Sequence, residues 1–322
     1  MSSNIEIKVF HDFESLEEEW NRMYKLGFPY SCSYDWCIEW WRYFSDGKEL
    51  YIVAIYANQK LVLLAPMYKK KKTLFQIGVN PSLFDESGIL MTETKYLKNL
   101  LAYVIGLKLH IEFNFLNLSS EYSHQIIKFM NQNSILRKDK IYGTKPYIHL
   151  ADFVLKRKQK DEKKRLYNRI SAKFDTPPSF DLYKGDIKEM IRMHKQRWGG
   201  GIFSKIEGMD SFIQSLVDSS IATLHVLSAG DTILAYHLGF VDSRNHFTSM
   251  IPVYNTNFRD LSLGKYMLFK MVEWVQLNKI EVFDFGRGSE DYKYWFASND
   301  ALLGNLHIYP NKSILNKIKK HI

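Results

Sequence analysis

The residues with the most chemistry to offer lie in Arg259-Asp-Leu-Ser-Leu-Gly264-Lys265, between a strand-rich stretch and an amphipathic one. A loop that leaves a strand and opens a helix with serine, glycine and lysine aims unpaired backbone N–H groups at one spot. That spot lies beside the positive end of the helix dipole, and the result is a grip for a pyrophosphate. On this reading Arg259, Leu261, Ser262, Leu263, Gly264 and Lys265 form the anion site; the plain alternative is a helix cap and nothing more. Downstream, Val282-Phe-Asp-Phe-Gly-Arg-Gly288 is an apolar strand that breaks into glycines. It runs into the aromatic and charged cluster Ser289-Glu-Asp-Tyr292-Lys293-Tyr294-Trp295-Phe296. Arg287, between two glycines, can bind an anion on a sharp turn or pair with Asp284 or Glu290. Lys293 has the length to reach a phosphate.

Acid–base candidates are fewer. Asp85 and Glu86 sit in Asn80-Pro-Ser-Leu-Phe84-Asp-Glu-Ser87-Gly88, an acidic turn that either orients a cationic amine or serves only turn geometry. His237 alternates with Tyr236 and Leu238 on a central strand, where it is a base or a neutral core histidine. Trp198-Gly199-Gly200-Gly201-Ile-Phe203-Ser204 follows a helix and reads either as a mobile aromatic lid or as a glycine stop. Trp36, Trp40 and Trp41 take helical spacing and form a core stripe.

The downstream block, with Asp231-Thr-Ile-Leu-Ala235-Tyr-His237-Leu-Gly239-Phe240 and His194-Lys-Gln-Arg-Trp198-Gly199, resembles the GNAT-type acyltransferase domain of the cellulose-biosynthesis-protein family. Near the N-terminus, Phe13-Glu-Ser-Leu16-Glu-Glu-Glu-Trp20, Ser33-Tyr34-Asp-Trp36-Cys-Ile-Glu-Trp40-Trp41 and Leu64-Ala65-Pro66-Met67-Tyr68 are similar to the opening of the same two-domain proteins. The resemblance covers nearly the whole chain, with residues 70–160 matching only in pattern. It implies acyl transfer from acyl-coenzyme A, a co-substrate and not a tightly bound cofactor, to the amine of a nucleotide-linked deoxyamino sugar. The sugar would be a dTDP-sugar bound for O-antigen or capsule. It further implies a strand over Phe247–Val253, interrupted by Pro252, that splays from its neighbour. Met250 and Ile251 there would offer backbone N–H groups to the thioester. Tyr292, with Tyr294 as alternate, would protonate the leaving thiolate, the other reading being that both pack beside Trp295. The attack would be direct, because neither cysteine has an activating partner in the sequence.

The elements that must position these residues read as mixed α/β. In the second half the pattern predicts strands at 180–183, 223–227, 233–241, 246–253, 281–285 and 306–309, with helices at 187–198, 209–219 and 263–278. The first half repeats this grammar faintly, with strands at 50–56, 60–67, near 89 and at 111–118, and a helix at 96–105. The expected organisation is a smaller, degenerate GNAT-like domain over 1–155 that helps hold the acceptor, a basic linking helix over 156–178, and a GNAT domain over 179–322. The acidic turn Thr92-Glu-Thr-Lys95 would repel a pyrophosphate, so coenzyme A is assigned to the second half.

With 322 residues, 46% of them hydrophobic, the chain can build one large or two ordinary cores, which excludes a disordered polypeptide. No run approaches the ~20 apolar residues of a membrane span, and Glu6 interrupts the only apolar N-terminal stretch, so a cytoplasmic location is expected. Cys32 and Cys37 lack histidine partners, so no metal site is expected. The formal charge of +9 concentrates in 156–165, 69–72 and 312–320, read as solvated faces. Two alternatives remain: an aminoacyl transferase drawing on aminoacyl-tRNA for a peptidoglycan precursor, and a non-enzymatic module binding nucleic acid or polysaccharide. A long helical hairpin arm would mark the first, and 156–174 offers one helix.

Overall fold

The computed structural model describes residues 4–309 other than 80, 82–84, 134–135 and 152. The basic tail at 312–320 and much of the acidic turn after Val79 therefore lie outside the described residues. The chain forms two compact units, one from the described residues up to Lys145 and those from Asp300 onward, the other Pro146–Asn299. This differs from the expected division. The helix expected to link two domains lies inside the second unit, and the last strand belongs to the first.

The first unit opens with strand β1 (Ile5–Phe10) and helices α1 (Glu17–Tyr24) and α2 (Tyr34–Phe44). Strands β2 (Glu49–Leu50), β3 (Ile52–Ala57), β4 (Lys60–Ala65), β5 (Met67–Lys70), β6 (Thr73–Gln76) and β7 (Leu90–Met91) follow. Then come α3 (Leu97–Gly106), β8 (His110–Asn117), α4 (Glu121–Gln132) and β9 (Leu136–His149), within which the boundary falls. One sheet runs β1-β3-β4-β7. The Ser33 side chain caps α2, and Trp36 and Trp40 are fully buried, as their spacing predicts. Strand β15 (Asn299–Tyr309) pairs antiparallel with β8, and its Leu306 and Ile308 complete the core around Leu63, Leu100 and Phe113. Its alternation marks a strand but cannot say which sheet receives it, which is why the sequence places it with the second half.

The second unit comprises α5 (Arg157–Phe174), β10 (Pro178–Leu182), α6 (Lys188–Trp198), α7 (Ile202–Lys205), α8 (Met209–Asp218), β11 (Thr223–Ala229) and β12 (Thr232–Val241). It ends with β13 (His246–Tyr254), α9 (Leu263–Leu277), β14 (Val282–Asp284) and α10 (Asp291–Tyr294). Strands β10 to β13 pair antiparallel in order. Leu166 and Ile170 of α5 are buried at the spacing that predicts one apolar face, and α9 packs Tyr266, Phe269, Val272 and Val275 into the same core.

Two features of β13 shape the site. Its parallel pairing with β14 stops at Thr248 and Asp284, although β13 continues to Tyr254. Its register with β12 passes from Leu238–Ile251 to Gly239–Ser249, so Met250 is the inserted residue of a β-bulge. Gly239 allows this close approach, since a Cβ there would stand 2.6 Å from the Thr248 carbonyl oxygen.

Candidate active site

Where β13 outruns β14, a cavity of about 280 Å³ opens within the second unit. Ser249, Pro252 and Tyr254 of β13 form one wall. The start of α9, with Ser262, Leu263, Gly264, Lys265 and Leu268, forms another. Arg197, Arg259, Phe285 and Tyr292 complete it. A larger concavity of about 800 Å³ along residues 14–25 carries Glu14, Glu17, Glu18 and Glu19. Four carboxylates against Arg22 and Lys25 leave it net negative, so it repels the anions that the smaller cavity attracts.

The loop before α9 is built for backbone contact. Ser262 adopts φ 52 and ψ 43, the left-handed region that costs a non-glycine residue about 1 kcal/mol or more. In that conformation its carbonyl accepts from the Lys265 and Tyr266 amides at 3.1 and 3.2 Å. Lys265 and Tyr266 are thereby tied back to Ser262, and Leu263 and Gly264 are the first two residues of α9, where a helix carries N–H groups outside its own ladder, a pair where the sequence suggests a wider fan. Gly264 faces the Tyr254 ring, and a Cβ at that position would lie 3.3 Å from it. Lys265 stands 4.8 Å over the Trp295 ring and 3.5 Å from Glu162, so its charge is partly compensated. Arg259 is exposed, with no side-chain partner among the described residues. Leu261 is 1% exposed and belongs to the core; only its backbone is open to a role.

Three side chains that pattern reading does not single out join this cavity. Arg197 stacks 4.2 Å from both the Trp198 and Tyr254 rings and donates to the Pro252 carbonyl at 3.4 Å. No carboxylate lies within ion-pair distance of it among the described residues, so this half-buried cation suits an anionic ligand. Phe285 and Leu268 give the apolar floor. Arg197 lies within the His194–Gly199 segment that carries the resemblance, but only folding shows that it faces the cavity.

Tyr292 lines the cavity while 42% of it meets solvent. Burial on the cavity side, with Glu290 nearby, pushes its phenol up to about 12 against the opposing pull of Arg197. It is a protonated acid throughout the working range. Tyr294 is 40% exposed and outside the lining. Ile251 is buried, and Met250 occupies the bulge.

Lys293 departs from its expected part. Its side chain is buried and its Nζ donates to the carbonyls of Gly286, Arg287 and Gly288 at 3.1, 2.5 and 3.4 Å, with Glu290 at 2.9 Å. It fastens the glycine turn after β14 instead of projecting toward a ligand, because three carbonyls converge on it. Arg287 sits on that turn, outside the cavity lining. His237 is fully buried and its Nε2 lies 2.9 Å from Ser249 Oγ. Burial, with His225 beside it, lowers its imidazole to about 3, which makes it a poor base. Asp85 and Glu86 are in the first unit; Asp85 is buried, and Glu86 accepts from the buried Lys145 Nζ at 2.7 Å. Neither lines the cavity.

The glycines after α6 hold left-handed backbone at φ 60, 102 and 52 and lead into α7. His194 packs 4.6 Å from Trp198 and 4.9 Å from Phe203, pinning this loop at both ends. Cys32 and Cys37 are buried free thiols, and burial pushes Cys37 well up. Among the described residues no cluster of three His, Cys, Asp or Glu side chains could hold a metal ion, and no helix is long and apolar enough to cross a membrane.

Residues 156–294 match the family model described as an acetyltransferase (GNAT) domain. No curated protein matches the chain. Among solved structures, FemX is similar with a TM-score of 0.63 at 10% identity, over 97% of this chain and 99% of that one. A conserved protein of unknown function from Bacteroides thetaiotaomicron gives 0.62 at 11% identity, over 94% and 100%. A tandem GNAT protein from the clavulanic acid biosynthesis pathway gives 0.55 at 10% identity, over 95% and 98%. At these identities the likeness is one of fold. The chain thus has a mixed α/β, tandem GNAT fold, carries an acetyltransferase domain over 156–294, and is an acyltransferase.

Proposed function

We propose that the protein takes its acyl group from acyl-coenzyme A and passes it to the amine of a nucleotide-linked deoxyamino sugar, a dTDP-sugar used for surface polysaccharide. The observation that carries the donor is the cavity's layout. The first two amides of α9, Arg259 and Lys265 gather at one end, and the edge of β13 freed from β14 runs from it. A diphosphate fits the first and the amide-bearing pantetheine arm fits the second. Leu263, Gly264 and Arg259 would hold the diphosphate, and bound coenzyme A would supply the activated thioester.

Acyl transfer to an amine needs a neutral amine, a hydrogen-bond donor for the developing oxyanion and a proton for the leaving thiolate. Tyr292 is assigned the last task, since it lines the cavity with its proton held. Both cysteines lie outside the cavity, which supports direct attack. The amino-sugar acceptor rests on the family resemblance of the sequence. Calorimetric titration with coenzyme A, followed by mass spectrometry of acyl-coenzyme A and dTDP-amino sugar panels, tests both halves. Micromolar coenzyme A binding and an acylated sugar are expected; absence of coenzyme A binding refutes the donor.

A second reading, aminoacyl transfer from aminoacyl-tRNA, draws support from the fold shared with FemX and from the basic face of α5. Lys163 is paired there with Glu273 and Arg165 with Glu162, so part of that basic charge is already neutralised. Transfer from charged tRNA, with none from acyl-coenzyme A, would decide for it.

A further inference from the structure

The cavity contains one hydroxyl whose proton is directed by a buried partner. Ser249 is 6% exposed, lines the cavity and immediately precedes the bulge at Met250. Its Oγ lies 2.9 Å from Nε2 of His237, a residue with no exposed surface. The other ring nitrogen of His237, Nδ1, has no hydrogen-bond partner, and the ring sits among Phe247 at 6.0 Å and Phe283 at 6.5 Å.

Those contacts select a tautomer. A proton on Nδ1 would bury an orphan donor among aromatic rings, which proteins tolerate less well than a bare acceptor. The proton therefore sits on Nε2 and is donated to Ser249 Oγ. A hydroxyl that accepts from His237 must aim its own proton elsewhere, and the open direction is the cavity.

We infer that Ser249, oriented by His237, donates a side-chain hydrogen bond to the acyl carbonyl oxygen of the bound thioester. This rests on the acyl-coenzyme A reading given above. Ser249 is then a catalytic residue, because its donor faces the oxygen on which charge develops. His237 is a positioning residue. Its low basicity means it does not take the Ser249 proton, so the hydroxyl acts as a donor and forms no acyl-serine.

The test uses acetyl-coenzyme A labelled with carbon-13 at the carbonyl, bound to the full chain. Affinity is read by calorimetry and the carbonyl stretch by isotope-edited infrared difference spectroscopy. In the native protein the stretch should fall below its value in free acetyl-coenzyme A. In Ser249→Ala it should move back toward the free value with little loss of affinity, and Ser249→Thr, which keeps a hydroxyl, should retain the native band. His237→Leu should broaden the band, since the hydroxyl is no longer held to one rotamer; an unchanged band would remove the positioning role. If acetyl-coenzyme A binds and Ser249→Ala leaves the band where it was, the inference is overturned while the donor reading stands. Absence of binding by the native protein overturns both.

Discussion

Replacing Gly264 by aspartate separates binding from folding. A Cβ at 264 meets the Tyr254 ring at 3.3 Å, so the ring must yield by a few tenths of an ångström, and the carboxylate extends beside the Leu263 and Gly264 amides. Hydrogen bonds to a charged group contribute about 1.5–3 kcal/mol each, so losing two costs a diphosphate about 3–6 kcal/mol. At about 1.4 kcal/mol per tenfold, Gly264→Asp should weaken coenzyme A binding by roughly 100-fold or more. The same carboxylate in the first turn of α9 favours the helix dipole by about 0.3–1 kcal/mol. Thermal unfolding should therefore shift little. Gly264→Ala brings the ring contact without the charge and should cost about tenfold or less in affinity. Calorimetry of the three proteins with coenzyme A is the assay. Native-like affinity in a folded Gly264→Asp variant refutes the assignment of this helix start to the diphosphate.

Tyr292→Phe should lower kcat by about 100-fold with the KM for the acyl donor little changed, and the native enzyme should show no alkaline decline from this group below about pH 10, as its phenol is pushed up to about 12; steady-state pH profiles check both. His225 and His237, lowered by burial to about 4 and about 3, bind protons in the unfolded chain near pH 6.5 but not in the folded one, so stability is full above that pH and falls as pH drops toward 4. Urea midpoints at pH 7, 5 and 4 measure this. His225→Phe should flatten that profile and add about 1–2 kcal/mol at pH 7, because neither ring nitrogen makes a well-formed hydrogen bond in the nest of Phe180 and Trp274. Lys293→Met should cost about 1–3 kcal/mol of stability by stranding the Gly286, Arg287 and Gly288 carbonyls, read by denaturant titration; lost coenzyme A affinity at unchanged stability would restore it as a phosphate ligand.

The parts of this account legible in sequence are those written in local pattern. The apolar run of 233–241 marks a buried strand, and the apolar face of α9 and the stripe of Trp36 and Trp40 follow from the helical period of 3.6. Pro252 and the Ser262-Leu-Gly264 step at the start of α9 stand out in the sequence, and both lie in the cavity wall. Residues joined by topology stayed silent. Arg197, Tyr254 and Phe285 are distant in sequence and share no motif, and the Ser249–His237 contact depends on a bulge that only the β12–β13 register reveals. Strand β9 is not legible in the sequence because its lysines, glycine and proline disguise a long extended segment. Lys293 is ambiguous in the sequence because a lysine beside glycines reads equally as a phosphate ligand or as a clasp for carbonyls.

The most direct test of the central claim is a crystal structure of the protein with coenzyme A. The account predicts the diphosphate within hydrogen-bond distance of the Leu263 and Gly264 amides and the pantetheine arm along β13 beyond Thr248. A diphosphate held elsewhere, with the Tyr254 ring closed over Gly264, would contradict it.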